Sequence, residues 1–235
     1  MNNYTKFRPK WFVPHCQCSL CADSVSLNQL LCGPCLEDMR RVQPGCAVCA
    51  DALDGISGTE MVCGRCQQHR PSFDETYAAF VYQPPMTRLL WQFKFRARFD
   101  IGNFFCHQMV RDLVPKDRPD YLISVPMHTT AIKERGYNQS AYLANLLARE
   151  LKRPVYHDVY ERNTTKTPQH QLNLKHRKRN LQDAFILAKP RAGKHVAIVD
   201  DVITTGATME VLAAPLKAFG VERISVWAVC RTYRE

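Results

Sequence analysis

His195-Val196-Ala197-Ile198-Val199-Asp200-Asp201-Val202-Ile203-Thr204-Thr205-Gly206-Ala207-Thr208 is the stretch whose order of chemistries decides the fold. Val196 to Val199 is short, apolar and rich in β-branched residues, the pattern of a strand buried on both faces of a parallel sheet. Met209-Glu210-Val211-Leu212 then takes up helical spacing, so the intervening turn sits at the carboxyl end of a strand and the start of a helix. Ligands of open α/β sheets bind at such turns, where free backbone N–H groups attract anions. Gly206 and Ala207 let the backbone come close to a phosphate, and Thr204, Thr205 and Thr208 add hydroxyl donors. Asp200 and Asp201 accept hydrogen bonds and would repel a phosphate, so they are expected to face another part of the ligand. Vicinal sugar hydroxyls, which are donors, suit them.

Four apolar residues, two acids, an apolar residue and then a Thr-Gly-rich loop resemble the phosphoribosyl pyrophosphate (PRPP) motif of type I phosphoribosyltransferases. The resemblance implies that Asp200 and Asp201 hold the ribose 2- and 3-hydroxyls. It also implies that Thr204, Thr205, Gly206, Ala207 and Thr208 hold the 5-phosphate. Ala207 departs from the second glycine that many members carry, a mild change if its φ is negative. Mg²⁺, which binds through a few carboxylates, waters and substrate phosphates, is expected to accompany PRPP.

Charge and cysteine are unevenly spread along the 235 residues. Residues 1 to 70 hold seven bases and six acids, so nearly all of the net charge of +10 belongs to the remainder. The unevenness predicts two domains, a cysteine-rich one over residues 1–70 and a phosphoribosyltransferase-like one over residues 71–235. No segment approaches the roughly 18 apolar residues of a membrane span. The N-terminus has no signal-peptide pattern, and the expected location is cytoplasmic.

Cys18 and Cys21, Cys32 and Cys35, Cys46 and Cys49, and Cys63 and Cys66 form four successive Cys-x-x-Cys pairs. Each pair offers two thiolates to one ion, and two pairs complete a tetrahedral Cys₄ zinc site. About two structural zincs are therefore expected. The simplest arrangement joins neighbouring pairs, although the spacing is also compatible with crossed ones. In an intracellular protein such pairs favour metal over disulfides. Cys16, His15 and His69 stand near enough to be alternative ligands, but the four pairs leave no vacancy.

Further loops carry the remaining chemistry. Tyr77 to Tyr82 reads as a strand, and Pro85 opens a helix with Met86, Leu89, Leu90 and Phe93 on one face. Lys94-Phe95-Arg96-Ala97-Arg98-Phe99 interleaves bases with aromatics, which fits either base stacking on a single strand or a solvated helix end with core aromatics. Tyr121 to Pro126 reads as a strand that leads into Met127-His128-Thr129-Thr130. Pro215 is expected to kink the last helix or end its first half, with Gly220 as its C-cap.

With Val125-Pro126, Glu134-Arg135-Gly136-Tyr137-Asn138-Gln139, Thr167-Pro168-Gln169, Leu172, Arg179-Asn180 and Ala184-Phe185 added, the whole chain resembles the ComF/GntX family. That resemblance implies a type I phosphoribosyltransferase-like α/β fold, a parallel sheet of about five strands flanked by helices, behind a small zinc-ribbon domain. It places pyrophosphate on Pro126, Met127 and His128, with Arg135, Asn138 and Gln139 close behind. The segment from Arg162 to Asn180, with six bases (Arg162, Lys166, Lys175, Arg177, Lys178 and Arg179), reads as a loop that closes over PRPP and brings Lys166 or a neighbouring base onto pyrophosphate. Nucleic-acid phosphates would fit the same six bases, and electrostatics alone does not separate the two.

The expected activity is Mg²⁺-dependent phosphoribosyl transfer, with Asp200, Asp201, Lys166 and Arg135 in catalytic roles. The family resemblance further implies natural transformation and the uptake and use of DNA, with single-stranded DNA and other DNA-uptake proteins as partners. The alternative reading is a non-catalytic single-stranded DNA-binding competence factor that keeps the PRPP fold as a sensor or scaffold.

Overall fold

The computed structural model describes residues 16–27, 29–43, 45–53, 61–113, 118–162 and 184–233. Two short strands, β1 (Cys16–Gln17) and β2 (Ser24–Val25), pair antiparallel, and α1 (Gly33–Glu37) and α2 (Gly64–Gln68) complete the cysteine-rich head. Then follow β3 (Glu75–Val81), α3 (Met86–Arg96), α4 (Phe99–Leu113), β4 (Tyr121–Ser124), α5 (Thr129–Arg135) and α6 (Gln139–Leu151). Next come β5 (Val155–Tyr156), β6 (Tyr160–Arg162), β7 (Phe185–Leu187), β8 (His195–Ile203), α7 (Ala207–Phe219) and β9 (Arg223–Arg231).

Five strands form one sheet in the order β3-β9-β8-β4-β5, with every neighbouring pair parallel. Crossovers between parallel strands place helices on both faces, which is why the central strands are apolar on both sides. Along β8, Ala197 and Val199 join a core with α3, α4 and α6, while Val196 and Ile198 join one with α7. β6 and β7 make a separate antiparallel hairpin, packed on the α7 side through Val159, Tyr160 and Phe185.

One element differs from expectation. β8 does not stop at Val199: it runs through Ile203 because β9 pairs with it as far as Ile203 and Arg231. Asp200 and Asp201 therefore lie on the strand's last turn of pleat, held by the sheet instead of by the loop. α7 runs on through Pro215, so of the two outcomes expected of that proline the helix does not end there. The lost backbone donor is tolerated because Met209, Leu212, Ala213 and Leu216 bury one continuous face, and packing of this kind outweighs a local propensity.

Among the described residues the head has no core of its own. Cys18, Val25, Leu31 and Met39 pack into the α3–α4–α6 side of the sheet, whereas Cys46, Val48, Cys49 and Cys66 pack into the α7 side. Between the two, Val81 N–H donates to Arg40 O (2.9 Å) and Val42 N–H to Ala79 O (3.3 Å), so the chain at residues 40–42 lies along the outer edge of β3.

Candidate functional site

The end of β8 gathers two carboxylates with different partners. Asp200 Oδ1 accepts from Ser140 Oγ (2.7 Å) and from the Asp201 N–H (2.9 Å). Asp201 Oδ1 lies 3.0 Å from Lys94 Nζ, and Asp201 itself is buried. Burial and the adjacent Asp201 charge push the Asp200 carboxyl up to about 7, against the pull of Ser140, the Asp201 N–H and Lys94. Both acids are thus already met by donors, the kind of partner that sugar hydroxyls would also be.

Lys94 and Ser140 are site residues that sequence reasoning missed. The signal for Lys94 was present: Met86, Leu90 and Lys94 recur every four residues, which puts them on one stripe of α3. Met86 and Leu90 are buried on that stripe, and Lys94 extends it to the aspartates. The interleaved stretch accordingly divides by direction. Phe93 is core, Lys94 faces the site, and Phe95 is 52% exposed.

The loop after β8 turns through Gly206, whose φ of +78° lies in the left-handed region that favours glycine. Ala207 is the first residue of α7, so no glycine is needed there. Thr205 Oγ1 accepts from the Ala207 N–H (3.3 Å), while Thr204 and Thr205 are exposed and Thr208 is half-buried. Behind the loop, Arg231 at the end of β9 is fully buried. Its Nη1 donates to Ile203 O (3.3 Å) and to Thr204 O, and its Nε donates to Cys49 O (2.9 Å).

Val125 N–H donates to Val199 O (3.1 Å), which sets Pro126, Met127 and His128 beside the end of β8. His128 caps α5 by accepting from the Thr130 N–H (3.2 Å). Asn138 caps α6 and donates to Val125 O (3.0 Å), tying this loop to the helix that carries Ser140. Arg135 Nη1 donates to the buried Gln139 Oε1 (3.3 Å), and Gln139 Nε2 donates to Lys94 O (3.3 Å). Arg135, Gln139, Lys94 and Asp201 therefore form one connected chain. Lys166 and most of the basic segment lie outside the described residues, as do Thr167-Pro168-Gln169, Leu172, Arg179-Asn180 and His15. Arg162 is described: it donates to Pro126 O (3.4 Å) and stacks over Phe185.

The eight paired cysteines gather as Cys18, Cys21, Cys32 and Cys35 and as Cys46, Cys49, Cys63 and Cys66, with the ligand atoms of each group within 4.8 Å of one another. A tetrahedral zinc with bonds of about 2.3 Å places sulfurs about 3.8 Å apart. Cys21 and Cys32 Sγ are 3.5 Å apart and Cys49 and Cys63 Sγ 3.8 Å, far beyond a disulfide bond, so both groups fit such an ion. At Cys18 burial opposes ionisation, but backbone N–H groups of Cys21, Cys32 and Leu20 outweigh it and bring the thiol down to about 6. Cys46 comes down to about 7 in the same way through Cys63, Cys49 and Val48.

Residues 137–234 match the phosphoribosyl transferase domain family. The chain is 33% identical over 224 residues to the DNA utilization protein YhgH of Escherichia coli, covering 92% of this chain and 96% of that protein. It is 32% identical over 240 residues to Competence protein F of Haemophilus influenzae, covering 98% and 100%. Competence protein ComFC of Bacillus subtilis is 28% identical over 189 residues, 72% of this chain and 75% of that one.

Proposed function

Because the chain belongs to the ComF family, with a phosphoribosyltransferase domain behind two Cys₄ groups, we propose that it binds PRPP at the end of β8 and serves the uptake and use of DNA. The observation that carries the reading is the pair of partnered carboxylates on a strand end, directly followed by a hydroxyl-rich turn and a helix start. Asp200 and Asp201 accept from the ribose hydroxyls. The turn from Thr204 to Thr208 takes the 5-phosphate, and the loop from Pro126 to His128, with Arg135 behind it, takes pyrophosphate.

The reaction that fits this arrangement is substitution at the anomeric carbon. A bond from an acceptor forms there, the bond to pyrophosphate breaks, and its electron pair leaves with pyrophosphate. The oxygen donors around Asp200 suit a hard cation, and Mg²⁺ arriving with PRPP would neutralise charge on the leaving group. Lys94 and Arg135 add fixed positive charge, and Lys166 is proposed to add more. Asp200→Asn together with Asp201→Asn is expected to abolish PRPP binding in calorimetry; unchanged affinity would refute this site. Isotope tracing of PRPP consumption against a panel of bases and nucleotides identifies the acceptor.

A second reading rests on α3. Trp91 and Phe95 are 50% and 52% exposed, their ring centroids are 6.0 Å apart, and Arg96 and Arg135 lie over them at 5.4 and 5.1 Å. Paired exposed aromatics with guanidinium groups are a platform for unpaired bases. Single-stranded DNA held there would lie on the same helix that sends Lys94 to Asp201. The two readings are compatible.

A further inference from the structure

The second cysteine group and the loop after β8 share one side chain. Arg231 is the last residue of β9 and pairs in register with Ile203, the last residue of β8. Its fully buried guanidinium reaches two carbonyls of the loop, Ile203 O and Thr204 O, and on its other side the carbonyl of Cys49. Nη2 lies 3.6 Å from Asp51 Oδ2, two residues beyond Cys49. Thr232 N–H also donates to Ile203 O (3.0 Å).

We propose that Arg231 is a positioning residue through which the metal-binding turn at Cys46–Cys49 fixes the backbone of the 203–206 loop. A trans peptide unit is planar, with its C=O and N–H pointing in opposite directions. Holding Ile203 O and Thr204 O toward the guanidinium therefore turns the Thr204 and Thr205 N–H groups the other way, outward from the loop. Anion binding needs that presentation. A charge removed from water is tolerated only when its partners stay in place, and Cys49 O and Asp51 keep their positions when the Cys46–Cys49 turn is closed on an ion. Metal at this group and the shape of the loop are thus linked, and linkage is reciprocal. The first group, on the opposite face of the sheet, has no such connection among the described residues. Lysine cannot replace this arginine, because a single ammonium does not span both sides of the fork.

Amide hydrogen exchange in the full-length zinc-loaded protein tests the idea without any ligand. Exchange at the bonded amides that hold the loop, Ala207 and Thr232, should accelerate at least about tenfold in Arg231→Met and in Cys63→Ser, and stay unchanged in Cys32→Ser. If Arg231→Met fails to fold, Asp51→Asn should give a smaller acceleration confined to the same residues. Equal protection in all folded variants would overturn the proposal. A second measurement rests on the PRPP reading: PRPP should slow chelator-driven release of one zinc of two in the wild type, and this protection should disappear in Asp51→Asn. Absence of PRPP binding by the wild type would sink that reading alone and leave the exchange result standing. PRPP that binds without slowing either zinc would overturn the coupling.

Discussion

Asp200 holds its proton to about pH 7 because burial, and then the charge of Asp201, oppose its ionisation. In the unfolded chain the same carboxyl ionises near pH 4. Between those values the folded protein carries a proton that the unfolded one has lost, so stability falls as pH rises across the window. Asp200→Asn removes this dependence. Its melting temperature should match the wild type near pH 4 and exceed it at pH 8, where the advantage is roughly 2 kcal/mol because the adjacent carboxylate shares the titration. Parallel melting profiles from pH 4 to 8 would show that Asp200 ionises in the folded protein as it does in the unfolded chain. The aspartate pair itself was legible, since adjacent acids before a Thr-Gly turn have few other uses. Ser140 was not, because nothing local to α6 says that its hydroxyl meets a carboxylate sixty positions away.

At the scale of elements, α3 presents three kinds of side chain in three directions. Phe93 packs against Phe105, Lys94 meets Asp201, and Trp91 with Phe95 faces solvent. Trp91→Ala and Phe95→Ala should therefore weaken single-stranded DNA binding about tenfold each, with little effect on folding, since stacking on an aromatic is worth about 1–3 kcal/mol per base. A fluorescence titration at two salt concentrations, with and without PRPP, checks this, and competition by PRPP would place both ligands on one surface. Undiminished binding by both variants would remove α3 from the DNA surface. Periodicity made the helix and its buried face readable, but it did not reveal the direction of Lys94 because the site it faces is built from another strand. The end of β8 was misjudged for a related reason. A polar pair looks like the end of a strand until the partner strand that continues past it, β9, is known.

For the whole molecule, the cysteine groups sit on opposite faces of one sheet, so their metals should be separable. Metal analysis is expected to give about two zincs per chain. Cys32→Ser should release one and loosen the face formed by α3 and α4, while the other ion stays bound; a content near zero would refute both sites. The pairs were legible from spacing alone, since two thiols two residues apart converge within one turn. That the head straddles the sheet was not, because its contacts with β3 and β9 join distant parts of the chain: Arg231 meets Cys49 across 182 positions. The strip of chain at residues 40–42 along β3 has one more effect. An uncovered outer strand is a template on which a second molecule can add its own strands. Here the Ala79–Val81 end of that template is already taken by the protein's own backbone, and the opposite border, β5, is only two residues long. Among the described residues, the edge left for stitching copies of this sheet into a ribbon is thus shortened on both sides, which works against fibrous aggregation of a chain with so apolar a sheet.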